Sequence, residues 1–409
     1  MWQLLFWGSV AVVGYTYFGY PALLFIFAKL RRHRRAAAPA GAPPKVCLII
    51  SAFNEEAVIR AKIENSLSQR YPADRMTILL ASDGSDDDTV AIADEYADRG
   101  VVVRHWPERR GKSSVLNDIV RELDHDVVVF TDANALFAPD AIEALVRRFA
   151  DPGIGCVVGK LRYIERDSTA VGRGESVYWK YEALISSLES ELQSVLVANG
   201  SIFAIRRECF RELYPDVAND FQVPFDVASQ GYGVVYEPRA RADEHTTVYW
   251  HEEFDRKIRI VLRGLTGFAA LRKGIRGFRL WQFWSHKLLR WTVGFFIFAA
   301  FGASVLLAEQ SLFFTLTLAV QTVFYLAALN GWITRGSRRQ RRWLYIPFYF
   351  TMVNASAAIA IVKFLAGHRQ RVWEKAESTR LRPVPAAVSG EPAAPEPAHD
   401  DLDAKVAKK

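Results

Sequence analysis

The sequence predicts an α/β domain with a mostly parallel sheet, flanked by transmembrane helices. Three observations carry this reading. Uncharged apolar runs long enough to cross a bilayer lie at both ends of the chain. Between them, short apolar runs alternate with stretches of helical periodicity. Acids and amides then follow the apolar runs, where the strands of such a sheet end. The whole chain has 409 residues, half of them hydrophobic, with 24% charged and a net charge of +7. At roughly 100–200 residues per domain, that length allows two or three units. A mean hydropathy of +0.02 is too high for a disordered chain and too low for a bundle of membrane helices alone. The three cysteines, Cys47, Cys156 and Cys209, are odd in number and widely spaced, which excludes a disulfide framework and a Cys-rich zinc site. The middle of the chain therefore reads as a domain of a reducing compartment.

The strands and helices of that middle part, 45–253, follow in order. Lys45–Ala52 is a short apolar run, and Glu55–Gln69 has helical spacing. Met76–Ser82 precedes a helical stretch at Asp87–Ala97, and Val101–Trp106 precedes one at Ser113–Leu123. Asp126–Phe130 is a fourth strand, with a helix expected after Pro139. Ligands are then expected in the loops after Ser51, Ser82, His105 and Phe130. No Gly-x-Gly-x-x-Gly follows the first strand and no Walker lysine motif is present, which argues against a dinucleotide oxidoreductase and a P-loop NTPase. Ser85-Asp86-Asp87-Asp88 reads as a helix N-terminal cap with favourable dipole charges. Asp83 and Asp132 differ, because a carboxylate at the end of a buried strand needs a donor or a cation.

The ends read as membrane segments. Trp2–Leu30 carries no charge before Lys29, and Arg31, Arg32, Arg34 and Arg35 follow it. The positive-inside rule makes 1–30 an uncleaved anchor with its N-terminus outside. A cleaved signal peptide fits less well, since the basic cluster lies on the wrong flank. The stretch 31–44 is a basic linker. Trp291–Ala308, Leu312–Ile333 and Trp343–Ala366 are further spans within 291–367, with a cytoplasmic arginine cluster (Arg335, Arg338, Arg339, Arg341, Arg342) before the last. Span counting then puts the tail 368–409 outside, whereas His368-Arg369-Gln370-Arg371 argues for inside, and a re-entrant last segment would reconcile them. From Ala376 the tail reads as disordered. In 254–290, apolar residues at helical spacing (Phe254, Ile258, Val261, Leu262, Leu265, Phe268) alternate with Arg256, Lys257, Arg259 and Arg263, the pattern of an interfacial amphipathic helix or of a helix packed on its own domain. Trp281, Trp284 and Trp291 are expected as interfacial anchors. Because the basic residues sit beside spans, membrane lipid headgroups explain the net charge better than nucleic acid does.

Cys47–Glu56 (CLIISAFNEE), Ala81–Thr89 (ASDGSDDDT), Thr131–Asn134 (TDAN) and Asn219-Asp220 stand in an order that resembles family 2 glycosyltransferases, over roughly Lys45–Arg259. The flanking spans resemble the synthase branch, which includes hyaluronan, chitin, cellulose and poly-N-acetylglucosamine synthases. The resemblance implies a nucleotide-sugar-binding domain of GT-A type. It implies that Ala52, Asn54, Glu55 and Asp83 hold the nucleoside of a UDP-sugar. Asp132-Ala133-Asn134 stands where the family presents a carboxylate to a metal, so Asp132 and Asn134 would ligate Mg²⁺ or Mn²⁺. An amide at 134 replaces a frequent carboxylate. Lys112 reads either as a phosphate contact or as a solvated loop lysine.

Asp220 is the expected general base, since an acceptor hydroxyl is a poor nucleophile until its proton is taken. Asp216 and Asp226 are nearby competitors. One base and one displacement imply inversion. The family's Gln-x-x-Arg-Trp motif has Arg256-Lys257-Ile258-Arg259-Ile260 in its place, where Arg256 and Arg259 would meet the diphosphate. Ile260 offers no aromatic platform, and Trp291 is a second candidate for one. Asn199-Gly200-Ser201 reads either as acceptor pocket or as a tight turn. His245 reads either as a surface histidine or, as in some relatives, one near the metal. The expected activity is inverting transfer from a UDP-sugar to a cell-surface polysaccharide at the cytoplasmic face of the inner membrane, with polysaccharide export partners. Transfer of one sugar to a lipid carrier or glycolipid is the alternative, and a catalytically inactive membrane scaffold is the reading from another class.

Overall fold

The structure is a computed structural model that describes residues 1–31, 42–164, 170–245, 250–334 and 342–369, without the side chains of 170–179 and 342–343. Arg32–Arg35, most of the linker, Arg335–Arg341 and the tail from 370 lie outside the described residues.

Helices α1 (Trp2–Gly14) and α2 (Tyr20–Leu30) form one rod through a π-helical turn at Tyr15–Gly19. The strands are β1 (Val46–Ala52), β2 (Met76–Asp83), β3 (Val101–Trp106), β4 (Val127–Asp132), β5 (Leu136–Phe137), β6 (Ile154–Ile164), β7 (Phe203–Arg206) and β8 (Gly233–His245). They form one sheet in the order β3-β2-β1-β4-β7-β6-β8-β5. The first four are parallel, as the alternating pattern predicts, and β7 enters antiparallel to β4 and β6. Helices α3 (Glu56–Leu67), α4 (Thr89–Asp94), α5 (Lys112–Glu122) and α6 (Ala141–Arg147) alternate with these strands. The helix expected over Asp87–Ala97 is thus cut to six residues, followed by a short turn that Gly100 closes in a left-handed conformation.

Residues of β1 and β4 alternate between two cores. Ile49 and Phe130 face α5 with Val115, Leu116 and Ile119. Leu48, Ile50 and Val129 face α3 and α6 with Ile59, Ile63 and Leu145. Each such side chain contributes on the order of 1.5–3 kcal/mol by leaving water, so the register of these central strands is strongly fixed.

The remaining helices are α7 (Ala170–Glu191), α8 (Asn219–Ser229), α9 (Trp250–Leu271), α10 (Gly277–Phe283), α11 (Leu289–Leu307), α12 (Leu312–Ile333) and α13 (Arg342–Leu365). A second π-helical turn, Trp284–Leu288, runs α10 straight into α11. Residues 277–290, the second part of the segment read as interfacial, are therefore the first turns of one long helix. Four stretches are long and apolar enough to cross a membrane among the described residues: Trp2–Leu30, Gly277–Gln310, Leu312–Ile333 and Leu344–Leu365. They leave large apolar side chains open, such as Leu4 at 81% and Phe18 at 77% exposure, a surface that a bilayer covers.

The membrane helices and the sheet share packing. Phe283 of α10 stacks on Phe268 of α9 at 4.4 Å and meets Phe221 and Phe225 of α8 edge-on. Ile258, Val261 and Leu262 of α9 pack on Ala357 and Ala360 of α13. At the other side Tyr20 donates to Glu189 at 2.6 Å, His286 Nδ1 lies 2.8 Å from the same oxygen, and Glu182 pairs with Lys287 and Arg290. Burial alone would raise the Glu182 carboxyl, but Arg290, Lys287 and His286 hold it well below the usual range. Breaking such a buried pair by removing one partner costs about 3–5 kcal/mol.

Candidate active site

The carboxyl ends of β2, β1 and β4 form one rim. Register places Ala52 opposite Ser82 and Ser51 opposite Asp132. Asp83 ends β2 two strand spacings, about 10 Å, from the end of β4. Its carboxylate accepts the backbone N–H groups of Arg110 and Gly111, at 2.7 and 2.9 Å. Gly84 turns the chain there with φ +77°, and a Cβ would lie 2.8 Å from the Arg109 nitrogen, so this position takes only glycine. Asn54 adopts φ 52°, its amide donates to Asp86, and its carbonyl accepts the Asp86 N–H. Glu55 starts α3, and its N–H meets Thr89. Asp87 accepts from both Thr89 N–H and Glu56 N–H, so the acidic run caps two helices rather than one. Ala52, Asn54, Glu55 and Asp83 thus share one loop cluster.

Beside that rim lies a cavity of about 1010 Å³ between the sheet, α9 and the membrane helices. Ligand pockets usually measure about 300–1,000 Å³, so this one has room for more than a single small molecule. Its wall includes Asp132, Asn134, Lys112, Asp220, Arg256 and Arg259, but not the nucleoside candidates of the rim. Asp132 and Asp220 therefore share the cavity, and Asp83 stands on the adjoining edge.

Gly200 measures how close those two acids come. A Cβ there would be 3.0 Å from Asp132 Oδ2 and 3.6 Å from Asp220 Oδ2. The Asn199-Gly200-Ser201 segment is both a turn and a cavity wall: Asn199 closes it by accepting the Ile202 N–H and donating to the Gly159 carbonyl. Gly200→Ala is expected to displace one carboxylate and lower turnover about 10²-fold, the effect of a misplacement of about 1 Å. Steady-state rates together with an unchanged circular dichroism spectrum check this.

Asp220 sits in the first turn of α8, and its carbonyl accepts the Ala198 N–H. Although the carboxyl opens onto the cavity, burial in the surrounding protein pushes it above the ordinary carboxylate value. Arg263 and Lys112 oppose the rise, and Asp132 adds to it. Asp226 lies at the far end of α8, where it accepts from Gln222. Lys112 is no solvated loop lysine: it opens α5, and its Nζ is 2.6 Å from Asp132 Oδ1.

Helix α9 supplies the cations. Arg256 is held by Glu253 (2.7 Å) and the Tyr163 hydroxyl (2.7 Å), and Lys257 by Glu253 (3.2 Å). Arg256, Lys257, Arg259 and Arg263 all line the cavity, so this basic face turns toward it. Trp291 lines the cavity as well, packed against Gly264. Trp281 is likewise engaged inside, donating to the Tyr15 hydroxyl. His245 is partly buried in the cavity wall, not on the surface.

The donor set suits a hard divalent cation: a carboxylate from Asp132 and an amide oxygen from Asn134, both in the cavity wall. Asn134 Nδ2 donates to Glu244 Oε1 at 2.8 Å, which leaves its carbonyl oxygen for another partner.

Three residues near the acids were not assigned to the site from the sequence, Arg263 having been read only as a basic residue of the amphipathic helix. Arg263 faces Asp220 and Asp132, and burial lowers its affinity for a proton while both acids restore it. Lys62 of α3 is fully buried behind the Asp132 turn, donating to Thr131 Oγ1 (2.9 Å) and the Ala135 carbonyl (2.5 Å). Burial lowers its pKa to about 7, with Asp132 opposing. Glu244 of β8 is the third. Arg263 lies four residues after Arg259, on the same helix face, a signal that spacing does carry. For Lys62 and Glu244 no local signal exists.

Residues 47–214 match the family model described as Glycosyl transferase family 2. Over 369 residues the chain is 26% identical to the probable glycosyltransferase YdaM of Bacillus subtilis (strain 168), covering 81% of this chain and 85% of that protein. It is 28% identical over 210 residues to β-monoglucosyldiacylglycerol synthase of Trichormus variabilis, covering 50% of this chain and 43% of the relative. It is 24% identical over 205 residues to poly-β-1,6-N-acetyl-D-glucosamine synthase of Staphylococcus aureus (strain COL), covering 48% of each. The matches to these last two thus span less than half of their length. Among solved structures, the mannosyltransferase PcManGT from Pyrobaculum calidifontis, in complex with GDP-Man and Mn²⁺, shares the fold at TM-score 0.68 and 22% identity, over 89% of this chain and 99% of that one. With a GT-A type sheet, acids at its strand ends and candidate membrane helices around it, the chain carries a family 2 glycosyltransferase domain over residues 47–214.

Proposed function

We propose that the chain transfers a sugar, with inversion, from a nucleoside-diphosphate sugar to an acceptor held between the catalytic domain and the membrane helices. The observation that carries this is Gly200 set between Asp132 and Asp220 in one cavity, with Lys112, Arg256, Arg259 and Arg263 in the same wall. The nucleoside lies along the rim of Ala52, Asn54, Glu55 and Asp83. Its diphosphate runs from that rim into the cavity. Asp132 and Asn134 would hold Mg²⁺ or Mn²⁺, which when bound would supply Lewis-acid stabilisation to the departing diphosphate. Asp220 takes the proton of an acceptor hydroxyl as that oxygen attacks the anomeric carbon. The bond from that carbon to the phosphate oxygen breaks, and its electron pair leaves with the diphosphate. Lys112 and the α9 arginines meet the charge that develops there. An α-linked donor therefore gives a β-linked product.

Two acceptors fit this reading. A growing polysaccharide is the first, and Trp291 in the cavity supplies the aromatic surface that Ile260 does not. A lipid-linked acceptor or glycolipid is the second, supported by the reach of the cavity to Ile346, Tyr349, Phe350 and Val353 of α13. The relatives' names include one enzyme of each kind. The catalytic domain faces the cytoplasm in this proposal, where nucleotide sugars are made. Membranes carrying the chain, given a panel of radiolabelled UDP- and GDP-sugars, separate the cases. Label in a long polymer supports the first acceptor, and one sugar extractable into organic solvent supports the second. No turnover of any donor, with Mg²⁺ or Mn²⁺ and added lipid acceptors, would leave the scaffold reading.

A further inference from the structure

We propose that Glu244 is a positioning residue that allows an amide to serve at position 134 of the metal motif. This rests on the reading of Asp132 and Asn134 as metal ligands. Position 134 is the motif's departure in charge: one carboxylate where two are frequent. The structure places the missing carboxylate next door. β5 pairs antiparallel with β8, setting Leu136 opposite Asp243, and this pairing brings the next residue of β8, Glu244, beside the turn that carries Asn134. Glu244 Oε1 accepts Asn134 Nδ2 at 2.8 Å, and Oε2 accepts the Ser201 hydroxyl at 2.8 Å.

Two consequences follow from the chemistry of those contacts. Both Glu244 oxygens accept, from the Asn134 amide and from the Ser201 hydroxyl, so the amide presents its NH₂ to Glu244. With the nitrogen fixed, the carbonyl oxygen points away from Glu244 within the amide plane, available as a neutral oxygen ligand. A carboxylate at 134 would offer no N–H to Glu244, and two acceptor oxygens would face each other at hydrogen-bonding distance. Asn134 and Glu244 are therefore a matched pair in which the site's second carboxyl group stands on β8 instead of in the turn. Ser201 holds the other oxygen of Glu244, so the wall residue next to Gly200 is part of the same support.

The test is Mn²⁺ binding to the detergent-solubilised full chain, followed by electron paramagnetic resonance of free Mn²⁺ with UDP or GDP present. Glu244→Ala is expected to weaken Mn²⁺ affinity by about 10–100-fold, the loss typical of an outer-shell partner. Glu244→Gln keeps an acceptor for the Asn134 amide and is expected to stay within a few-fold of the unsubstituted chain. Asn134→Asp alone should bind Mn²⁺ more weakly than Asn134→Asp combined with Glu244→Gln, where the second change relieves the repulsion. Unchanged affinity in Glu244→Ala would overturn the inference. So would an equal loss in Glu244→Gln, which would make Glu244 a ligand in its own right, or an Asn134→Asp chain that binds no worse than the double variant. Failure of the underlying reading looks different: the unsubstituted chain would then bind neither nucleotide in a Mn²⁺-dependent way.

Discussion

Asp220→Asn should abolish sugar transfer while leaving the binding of nucleotide and metal within a few-fold of the unsubstituted chain. The substitution keeps shape and removes only the capacity to take a proton, so the expected fall in turnover is about 10²–10⁴-fold. The pH profile of the unsubstituted chain adds an independent reading. Burial, reinforced by Asp132, sets the Asp220 carboxyl above its ordinary value despite Arg263 and Lys112. A base must be deprotonated to act, so activity should fall as pH drops through that raised value, above the ordinary aspartate value of about 4. Single-turnover rates across pH, with saturating donor, measure it. Near-normal turnover in Asp220→Asn would remove Asp220 from the chemistry, and an acid limb at the ordinary aspartate value would place the base elsewhere.

The parallel half of the sheet was legible because its strands are buried on both faces. Val127–Phe130 reads as a continuous apolar run, and it lies at the centre of the sheet with every side chain at 1% exposure or less. Asp132 was legible for a similar reason, since it ends that buried strand, whereas Asp220 was legible only through the resemblance of Asn219-Asp220 to the family's motif. What local pattern could not carry was the destination of the α9 face. A basic stripe between apolar residues has the same periodicity whether it meets lipid headgroups or a cavity. The difference is set by Glu253, which is fully buried and holds Arg256 and Lys257 inward. Burial would raise that carboxyl, but Arg256 and Lys257 outweigh it and keep it low. Lys62 and Glu244 were illegible because each acts on a turn some 70 or 110 positions away in the chain. Trp291 was readable as a candidate platform, but its surroundings depend on a helix that continues through a π-helical turn.

Asp132→Ala should produce the largest loss of donor affinity, and excess Mg²⁺ or Mn²⁺ should not restore it. Asp132 has two oxygens with two tasks: Oδ1 pairs with Lys112 at 2.6 Å, and Oδ2 faces the Gly200 position beside Asp220. Removing it takes away the only carboxylate of the proposed ligand pair and releases Lys112 from its place in the wall. The loss in metal-dependent nucleotide affinity is therefore expected to exceed the roughly 10–100-fold that an outer-shell partner costs. The turn itself should survive, because Lys62 fixes it through Thr131 and the Ala135 carbonyl rather than through Asp132. An unchanged thermal midpoint thus separates a lost ligand from a collapsed loop. The residual activity carries a further mark. Asp132 is one of the groups that raise the Asp220 carboxyl, so its removal should move the acid limb of the pH profile downward. A drop in affinity with an unmoved limb would mean that Asp132 and Asp220 do not sense each other in the working enzyme. Unchanged donor affinity would end its role as a metal ligand.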